Sequence, residues 1–462
     1  MKLNGTIPSW SYDETNKIIN INVSVIIAKS GYPSDIQEAV NWVIANGGGT
    51  VYIPAGDWVI NQSSGNAINI DLETLPEGAW LNIIGSEETT TTTTQNGVVI
   101  TAPATILRQG VLPSGFFATF SIVGSNTSYP ANFNYVRSKN KHIRISRLTI
   151  LNYVTNDTPA ANQNNAGIVL NYVDGFLIDN VFIDSNTNAG INVQASKGVI
   201  ANCSITQYYH KVLGPMSGWG YGVTVFGNSQ FWSSNLGTAT WITNVDNIIG
   251  KYDWQGITLQ YRNPQVILYN ELYGTNYSES YGSTNDISYT AGPVYIEDCF
   301  FDYTRHPVSS AQYGYYVLRN SVIKHPLGGL QSIDIHGRPF PSGRYAETYN
   351  NILDNVVMGI AFRGGGGLVF NNTFINNIVD VQLANEYYNS SVYDPQYIDN
   401  TWIWGNSHTG TGSPLNVWTN QNITPGVNYF TDSWGGLINA TNPSPPKPGY
   451  VPYTYPHPLR FQ

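Results

Sequence analysis

One pattern of apolar and polar positions recurs along the chain: two alternating apolar residues, a polar turn, a small polar residue and another apolar residue. Its clearest copies are FLIDNVFI from Phe176, VIANCSIT from Val199, VILYNELY from Val266, YIEDCFFD from Tyr295, VLRNSVIK from Val317, ETYNNILD from Glu347 and LVFNNTFI from Leu368. Adjacent copies lie about 21 to 34 residues apart, except across the longer gap between Val199 and Val266, where we place one weaker coil near Asn247. This period predicts a solenoid of stacked strands with loop insertions.

Aligning these copies places their small polar residues in one column. Its members are Asn180, Cys203, Asn270, Cys299, Ser321, Asn351 and Asn372, with Ser146 before and Asn400 after. We expect an inward-pointing ladder at a bend, where stacked amides bond their neighbours and the turn backbone. The two cysteines would then lie roughly 14 to 20 Å apart at about 4.8 Å per coil, too far for a disulfide. Both are predicted to be buried free thiols.

A second strand follows each turn. Its copies are GIVLN from Gly167, GINVQ from Gly190, GVTVF from Gly222, GITLQ from Gly256, SIDIH from Ser332, GIAFR from Gly359 and VDVQL from Val379. Period-two alternation assigns Ile333 and Ile335 to the core. Asp334 and His336 are therefore predicted to share one exposed face.

Two neighbouring segments can be aligned with this strand. Matching DIHG to AFRG places Arg363 beside His336 on the next coil, and TRHPVSS supplies the preceding coil with Ser309 beside Asp334.

The segment YPSDIQEAVNWVIANGGGTVYIPAGDW, from Tyr32 to Trp58, has a different pattern. Ser34 is positioned as an N-cap with Gln37 three residues on, and Ile36, Val40, Val43 and Ile44 follow at helical spacing. A glycine run ends the predicted helix before the strand TVYIPAG. The segment resembles the amino-terminal cap of the pectate-lyase-like superfamily of right-handed parallel β-helices. That resemblance implies an all-β coil with a short capping helix, and implies nothing about activity.

These patterns divide the chain into four predicted regions: an arm over 1–30, a cap over 31–62, the parallel β-helix over 63–405, and a tail over 406–462. The tail is rich in proline and aromatic residues, so we expect it to be extended and to pack on the coil or on a neighbour. The run Thr89 to Thr94 is interpreted as a low-complexity loop.

Composition narrows the range of partners. The formal net charge is -9 and no basic run occurs, which argues against nucleic acid or an anionic membrane. No apolar run reaches the ~18 residues of a membrane span, and the start MKLNGTIPSW lacks the apolar core of a signal peptide. Several glycosylation acceptor motifs, Asn4 and Asn439 among them, favour an extracellular, cell-surface or virion location.

Scarce charge gathers around SIDIHGR, from Ser332 to Arg338, in a chain with only 7 histidines and 11% charged residues. Proton abstraction beside a uronate carboxylate needs a base, such as His336, and a cation, such as Arg363 or Arg338. Asp334 could orient the imidazole. Five further residues are candidate substrate contacts: Arg305, His306, Lys324, Gln260 and Arg344.

Other chemistries have weaker support. Hydrolysis needs paired carboxylates about 5 to 9.5 Å apart, and Asp334 has no acidic partner in its column, although Asp302 or Glu347 could reach it from loops. Glu297 and Arg319 occupy equivalent outward positions on adjacent coils and are interpreted as a structural ion pair worth under ~1 kcal/mol. No spacing of His or Cys indicates a metal site or other cofactor, and calcium would need scattered Asp and Asn to converge.

The region from residue 295 onward is similar to a group of β-helix repeat proteins without a settled activity, and DIHG resembles the Asp-Pro-His site of alginate epimerases. Two hypotheses follow. The first is a polysaccharide lyase or epimerase acting on acidic glycans. The second is a non-catalytic surface or virion spike or filament that binds glycans or self-assembles, with trimers or higher oligomers left open.

Overall fold

The computed structural model describes residues 9–13, 18–22, 25–93, 99–111, 115–124, 141–152, 163–184, 189–194, 196–206, 221–226, 246–251, 265–269, 294–302, 306–311, 315–324, 331–337, 343, 345–386, 397–418, 421–433 and 445–458. The chain divides into two compact units. The first unit comprises Met1–Asn192 and Ile200–Tyr208, and the second comprises Val193–Val199 and Tyr209–Gln462.

The described elements are one helix and 38 strands. The first are β1 (Ser9–Asp13), β2 (Ile18–Asn22), β3 (Val25–Ile27), α1 (Pro33–Ala45), β4 (Gly49–Tyr52), β5 (Gly56–Ile60), β6 (Ile68–Asp71), β7 (Trp80–Ile84), β8 (Thr89–Thr93), β9 (Val99–Pro103), β10 (Thr105–Gln109), β11 (Gly115–Val123), β12 (His142–Ser146), β13 (Thr149–Leu151), β14 (Gln163–Asn171), β15 (Asp174–Asp179), β16 (Phe182–Asp184), β17 (Ala189–Gln194), β18 (Lys197–Ala201) and β19 (Ser204–Ile205). They are followed by β20 (Tyr221–Phe226), β21 (Asp246–Lys251), β22 (Gln265–Tyr269), β23 (Val294–Glu297), β24 (Phe300–Asp302), β25 (His306–Ala311), β26 (Tyr315–Arg319), β27 (Val322–Lys324), β28 (Ile333–Ile335), β29 (Tyr345–Tyr349), β30 (Ile352–Asp354), β31 (Met358–Phe362), β32 (Gly365–Phe370), β33 (Thr373–Ile375), β34 (Val379–Leu383), β35 (Ile398–Trp404), β36 (Ser407–Thr409), β37 (Ser413–Val417) and β38 (Tyr429–Thr431).

Each unit has the architecture of a right-handed parallel β-helix, as predicted. In the first unit, three parallel stacks have the strand orders β3-β4-β7-β12-β15, β5-β10-β13-β16-β19 and β6-β11-β14-β17. In the second, the orders are β23-β26-β29-β32-β35-β38, β24-β27-β30-β33-β36 and β25-β28-β31-β34-β37. The core lies inside each coil, where residues such as Leu81, Ile145, Ile333 and Ile360 are fully buried.

Two strands of the second unit depart from the predicted parallel coil. β21 pairs antiparallel with β20 and with β25, and β22, which contains the VILY segment from Val266, pairs antiparallel with β23. The sequence pattern missed this reversal because apolar alternation has the same period in either strand direction.

The predicted helix exists, but its N-terminus differs from the expectation. It begins at Pro33, with Tyr32 as the N-cap and no side-chain capping bond. Proline suits the first helical turn because its φ is already helical and its missing N–H would have no partner there. At the other end, Gly47 N–H bonds Ile44 O at 3.1 Å and Gly48 N–H bonds Val43 O at 3.0 Å, which is a Schellman motif.

Gln37 has a role other than the predicted capping box. Its side-chain amide donates to Asn69 O and accepts from Asn69 N–H, each at 2.8 Å. Asn69 belongs to β6, the first strand of its stack, so Gln37 satisfies backbone groups on an open strand edge.

The run of threonines is a strand and not the expected loop. Thr89–Thr93 forms β8, which pairs antiparallel with β9 in register from Thr89↔Pro103 to Thr93↔Val99. Threonine is β-branched, and its preference for strands outweighs the low-complexity appearance of the run.

The polar ladder is confirmed in the second unit, with a corrected membership. Each backbone N–H bonds the side-chain oxygen of the next member: Cys299 to Ser321 at 3.1 Å, Ser321 to Asn351 at 2.9 Å, Asn351 to Asn372 at 3.1 Å, and Asn372 to Asn406 at 2.9 Å. Both Cys203 and Cys299 are buried free thiols, as predicted.

Three predicted ladder members lie elsewhere. Asn180 occupies the preceding turn position with φ 55°, so Val181 points inward instead. Ser146 bonds Asp179 through its hydroxyl at 2.9 Å, and Asn400 lies inside β35. Asn270 is outside the described residues. The alignment slipped by one because Asn is favoured at both positions, as a left-handed turn residue and as an inward amide.

The pair Glu297–Arg319 is not on the surface. Both side chains are fully buried, because the tail covers them. Arg319 Nε donates to Glu297 Oε1 at 2.7 Å, and its Nη1 and Nη2 donate to the carbonyls of Tyr453 and Thr454 at 2.7 and 2.8 Å. The N–H of His457 donates to Glu297 Oε2 at 3.2 Å. The structure therefore contains a buried ion pair whose charged groups are hydrogen-bonded, and not the weak exposed pair expected from the sequence.

The tail also contacts the neighbouring coils of the same stack. Glu347 accepts hydrogen bonds from the hydroxyls of Tyr315 and Tyr450, both at 2.8 Å. Tyr450 meets the rings of Phe370 and Trp404 edge-on, with centroids 5.6 and 6.1 Å apart. Tyrosine hydroxyls thus satisfy a carboxylate that would otherwise be costly to bury.

We predict that Arg319→Met destabilises the protein by about 3–5 kcal/mol, because it leaves Glu297 buried and uncompensated. Chemical denaturation of the full chain measures the loss, and limited proteolysis should show faster cleavage of the tail. Lys324→Met is the matched control: Lys324 pairs with Asp354 at 3.4 Å and is partly exposed, so its loss should cost under ~1 kcal/mol. Equal losses in the two variants would contradict the tail's dependence on Arg319.

Candidate functional site

The candidate site is built on β28, which lies between β25 and β31. Asp334 is in register with Ser309 on one side and Ala361 on the other. Arg363 N–H bonds Ile335 O at 2.9 Å, which brings Arg363 alongside His336. The predicted alignment of the three coils is confirmed here, because parallel strands keep their register past the last paired residue.

Asp334 is not exposed, contrary to the prediction. Its exposed fraction is 0%, and both carboxylate oxygens accept from Arg363, with Nε–Oδ1 at 2.9 Å and Nη2–Oδ2 at 2.5 Å. The alternation correctly separates Asp334 from the buried Ile333 and Ile335. It cannot show what covers the outer face, and here the arginine side chain lies over the carboxylate.

Arg363 contacts a second carboxylate. Its Nη1 lies 3.1 Å from Glu386 Oε2, and His336 Nδ1 lies 3.7 Å from the same oxygen. The four side chains therefore form a chain of contacts from buried Asp334 through Arg363 and Glu386 to His336. His336 is the most exposed of the four, at 31%.

The charge on Arg363 is firmly held. Burial opposes the charged guanidinium, but the carboxylates of Asp334 and Glu386 outweigh it, and the pKa of Arg363 is raised. With a neutral imidazole, two carboxylates and one guanidinium give the group a net charge of about -1. Burial, reinforced by Asp334, also raises the pKa of Tyr316 well above its usual value.

Gly337 permits the approach of Glu386. A Cβ at Gly337 would lie 2.5 Å from Glu386 Cβ and 2.6 Å from Arg363 O. The glycine of SIDIHGR is therefore required by close packing. Glu386 itself was missed in the sequence: it lies three residues beyond the aligned strand VDVQL, and only the small residue at 337 hinted that a neighbour approaches there.

Of the remaining candidate cations and substrate contacts, only Lys324 has a described side chain. Lys324 lies on β27 and pairs with Asp354. Arg305, Gln260, Arg338 and Arg344 are outside the described residues, as is the side chain of His306. Glu347 lies on β29, in a different stack from Asp334, and accepts hydrogen bonds from Tyr315 and Tyr450. It is therefore no partner for Asp334.

A second carboxylate–imidazole pair was missed in the sequence. His408 Nδ1 lies 2.5 Å from Asp380 Oδ2, and Asn377 Nδ2 donates to Asp380 Oδ1 at 3.1 Å. Asp380 is fully buried. Burial raises its pKa to about 6, against the opposing effects of His408 and Asn377. Asp380 lies on β34 and His408 on β36, 28 positions apart, and the stacking of β36 on β33 brings their coils together.

Within the described residues, no group of three or more His, Cys, Asp or Glu side chains could hold a metal ion. In the same part of the chain, no helix is long and apolar enough to cross a membrane.

No family model and no curated protein matches the sequence. Solved structures with a similar fold include the tailspike protein of E. coli bacteriophage HK620, at 13% identity and TM-score 0.43, covering 93% of this chain and 65% of that chain. The alginate lyase of Paenibacillus sp. has 10% identity and TM-score 0.33, covering 85% and 98%. The A-module of the Azotobacter vinelandii mannuronan C-5 epimerase AlgE4 has 12% identity and TM-score 0.29, covering 89% and 92%. The chain thus spans about two thirds of the tailspike's length.

We predict that Asp334→Asn destabilises the protein by about 3–5 kcal/mol, because it removes one charge of a buried pair. Asp57→Asn is the matched control. Arg108 binds both carboxylate oxygens of Asp57 with the same forked geometry, Nη2–Oδ2 at 2.7 Å. That pair is partly exposed, so it should contribute under ~1 kcal/mol to stability. Denaturant titration of both variants compares the losses, and a small loss for Asp334→Asn would contradict the buried clamp.

We predict that Asp380 makes stability fall as pH rises from about 4 to 6. Its pKa is about 6 in the fold and near its usual 3.8 in the unfolded chain, so folding favours the protonated form. The contribution, roughly 1–3 kcal/mol, is complete below pH ~4 and lost above ~6. Melting temperatures across this range should fall less steeply in Asp380→Asn than in the unsubstituted protein, and parallel curves would contradict the assignment.

Proposed function

We propose that this protein acts on an acidic polysaccharide as a lyase or an epimerase, with His336 as the base that removes a proton beside a uronate carboxylate. The observation that carries the proposal is the chain of contacts from Asp334 to the partly exposed imidazole of His336. Such chemistry needs a positioned base near neutral pH, and histidine is the side chain that most often supplies it.

The neighbours of His336 have distinct roles in this proposal. Glu386 orients the ring through Nδ1 and stabilises the imidazolium that forms when the ring takes a proton, as an aspartate does in hydrolase triads. Arg363 fixes Glu386, and buried Asp334 fixes Arg363, so both are positioning residues. Rigid support of this kind holds a reacting group within the narrow tolerance that catalysis needs.

The substrate carboxylate requires a cation other than Arg363. Two carboxylates already neutralise that guanidinium, so it supplies little attraction for a third. Arg338, two residues beyond His336, is the proposed cation, and Arg305, His306, Lys324, Gln260 and Arg344 are proposed substrate contacts. A glycan lying across successive coils would meet side chains at steps of about 4.8 Å.

The second candidate is a non-catalytic surface or virion protein that binds glycans or self-assembles into trimers or larger assemblies. The full burial of Asp334 favours it, because a buried Asp–Arg pair satisfied on both sides can serve structure alone. Both candidates place the protein outside the cell, on a cell surface or on a virion.

Incubation with alginate, polygalacturonate and neutral dextran separates the two candidates. We expect new ultraviolet absorbance from unsaturated ends, or altered uronate stereochemistry in the recovered polymer's NMR spectrum. His336→Ala should abolish turnover while costing less than about 1 kcal/mol of stability, since the ring is partly exposed. His142→Ala, which removes an imidazole from the first unit, is the matched control and should remain active.

The outcomes are distinct. Turnover by His336→Ala, or no reaction on any acidic polymer by the unsubstituted protein, refutes the enzyme proposal. Binding of the same polymers without reaction supports the second candidate instead.

A further inference from the structure

An open pocket of about 460 Å³ lies in the first unit. Its lining residues are distant in sequence from β28, which carries the candidate site. Glu87, Glu88, Arg147, Asn180, Asn202 and Phe182 are among its lining residues. Its volume falls within the roughly 300–1,000 Å³ of small-molecule sites.

Two structures form the walls of this pocket. The hairpin of β8 and β9 contributes Thr89, Thr101 and Pro103 to one wall. This hairpin is held down because Ile100 packs on a buried cluster that includes Phe182. The turn residues that join β12 to β13 and the equivalent strands of the next coils contribute Arg147, Asn180 and Asn202 to the lining.

The acidic side of the pocket is also fixed by local bonds. Ser86 N–H bonds the hydroxyl of Thr105 at 2.8 Å, and Glu88 N–H bonds the hydroxyl of Ser86 at 3.1 Å. The backbone that carries both glutamates is thereby anchored to β10. A preformed backbone lowers the cost of ordering the site around a ligand.

Arg147 occupies a turn position at which the equivalent residues of most other described coils are Asn or Asp. These equivalents are Asn180, Asn202, Asp298, Asn320, Asn350 and Asn371, all with positive φ. Arg147 and these residues, Asn202 aside, donate their N–H to the strand end of the next coil. Asn and Asp tolerate this left-handed conformation, whereas arginine gains nothing from it, at φ 58°. Among the described coils, only this one has an unfavourable residue at the position, which indicates that its side chain serves another purpose there.

That side chain lies in the pocket. Arg147 Nη1 is 2.7 Å from Glu87 Oε1, and both side chains are well exposed. An exposed pair of this kind contributes little to stability, so structure does not account for the arginine. It does hold a guanidinium and a carboxylate side by side at the mouth of the pocket.

The lining groups define the class of ligand. Carboxylate oxygens accept hydrogen bonds, the guanidinium donates them, and the amides of Asn180 and Asn202 do both. Two glutamates and one arginine leave a net charge of about -1, which repels uronates and phosphates. Hydroxyl groups, which both donate and accept, match this surface, and the small exposed part of Phe182 offers an apolar contact.

We propose that this pocket binds a neutral saccharide, through Arg147, Glu87, Glu88 and the two asparagines. The proposal goes beyond the reaction assigned to His336 and does not depend on it. The pocket takes an uncharged sugar, whereas the proposed reaction requires a uronate.

Isothermal titration with lactose, cellobiose, maltose, chitobiose and a galacturonate disaccharide tests the pocket in the full chain. We expect at least one neutral disaccharide to bind and the galacturonate disaccharide to bind more weakly. Arg147→Asn should weaken neutral binding by about tenfold or more, because it removes a charged hydrogen-bond donor. It should fold normally, since it restores the residue that Asn180 and Asn202 have at the same position. Glu88→Gln, which keeps the shape, should also weaken binding.

Two controls make the result specific. Arg108→Asn removes an arginine of the same unit, paired with Asp57 outside the pocket, and should leave saccharide affinity unchanged. His336→Ala should also leave it unchanged, so failure here is separable from failure of the proposed reaction. The proposal is overturned if no neutral disaccharide binds, if Arg147→Asn binds as well as the unsubstituted protein, or if the galacturonate disaccharide binds equally well.

Discussion

The parallel strands of each stack meet with a matched register, and the rest of the structure depends on this constraint. It places every residue about 4.8 Å from its equivalent on the next coil, so a polar side chain that enters the interior must be satisfied by that equivalent. The ladder from Cys299 through Ser321 and Asn351 to Asn406 meets this requirement, each oxygen accepting from a backbone N–H of the coil before it. Buried polarity is stable here because the repeat supplies its partner.

The same register explains the buried charges. Glu297 and Arg319 are directly paired across β23 and β26, and Asp334 meets Arg363 across β28 and β31. Each charge gains a partner of opposite sign from the adjacent coil. An isolated ion pair on an exposed sheet would contribute little to stability. The tail over the first pair and the arginine over Asp334 exclude water, which makes removal of either partner costly.

This arrangement also shapes the candidate chemistry. Asp334 pairs with Arg363, and Arg363 also pairs with Glu386, so His336 at 31% and Glu386 at 22% are the more exposed side chains of the four. Because these charges are paired with one another, the scaffold is suited to position a base at this site. For the same reason, it attracts an anionic substrate only weakly there. In the first unit, by contrast, Arg147 is an exposed charged residue at a turn position where the other described coils mostly have asparagine.

The sequence by itself determined the coil, the capping helix, the inward isoleucines of β28, the free thiols and the register that places Arg363 beside His336. These follow from local periodicity and from a repeat that each coil copies. Tertiary structure alone decided that Asp334 is buried, that Glu297 and Arg319 lie beneath the tail, that β21 and β22 run antiparallel, and that Glu386 and His408 join their partners. Alternation reports which face a side chain is on, whereas burial depends on what distant segments cover that face, and no local pattern encodes that contact.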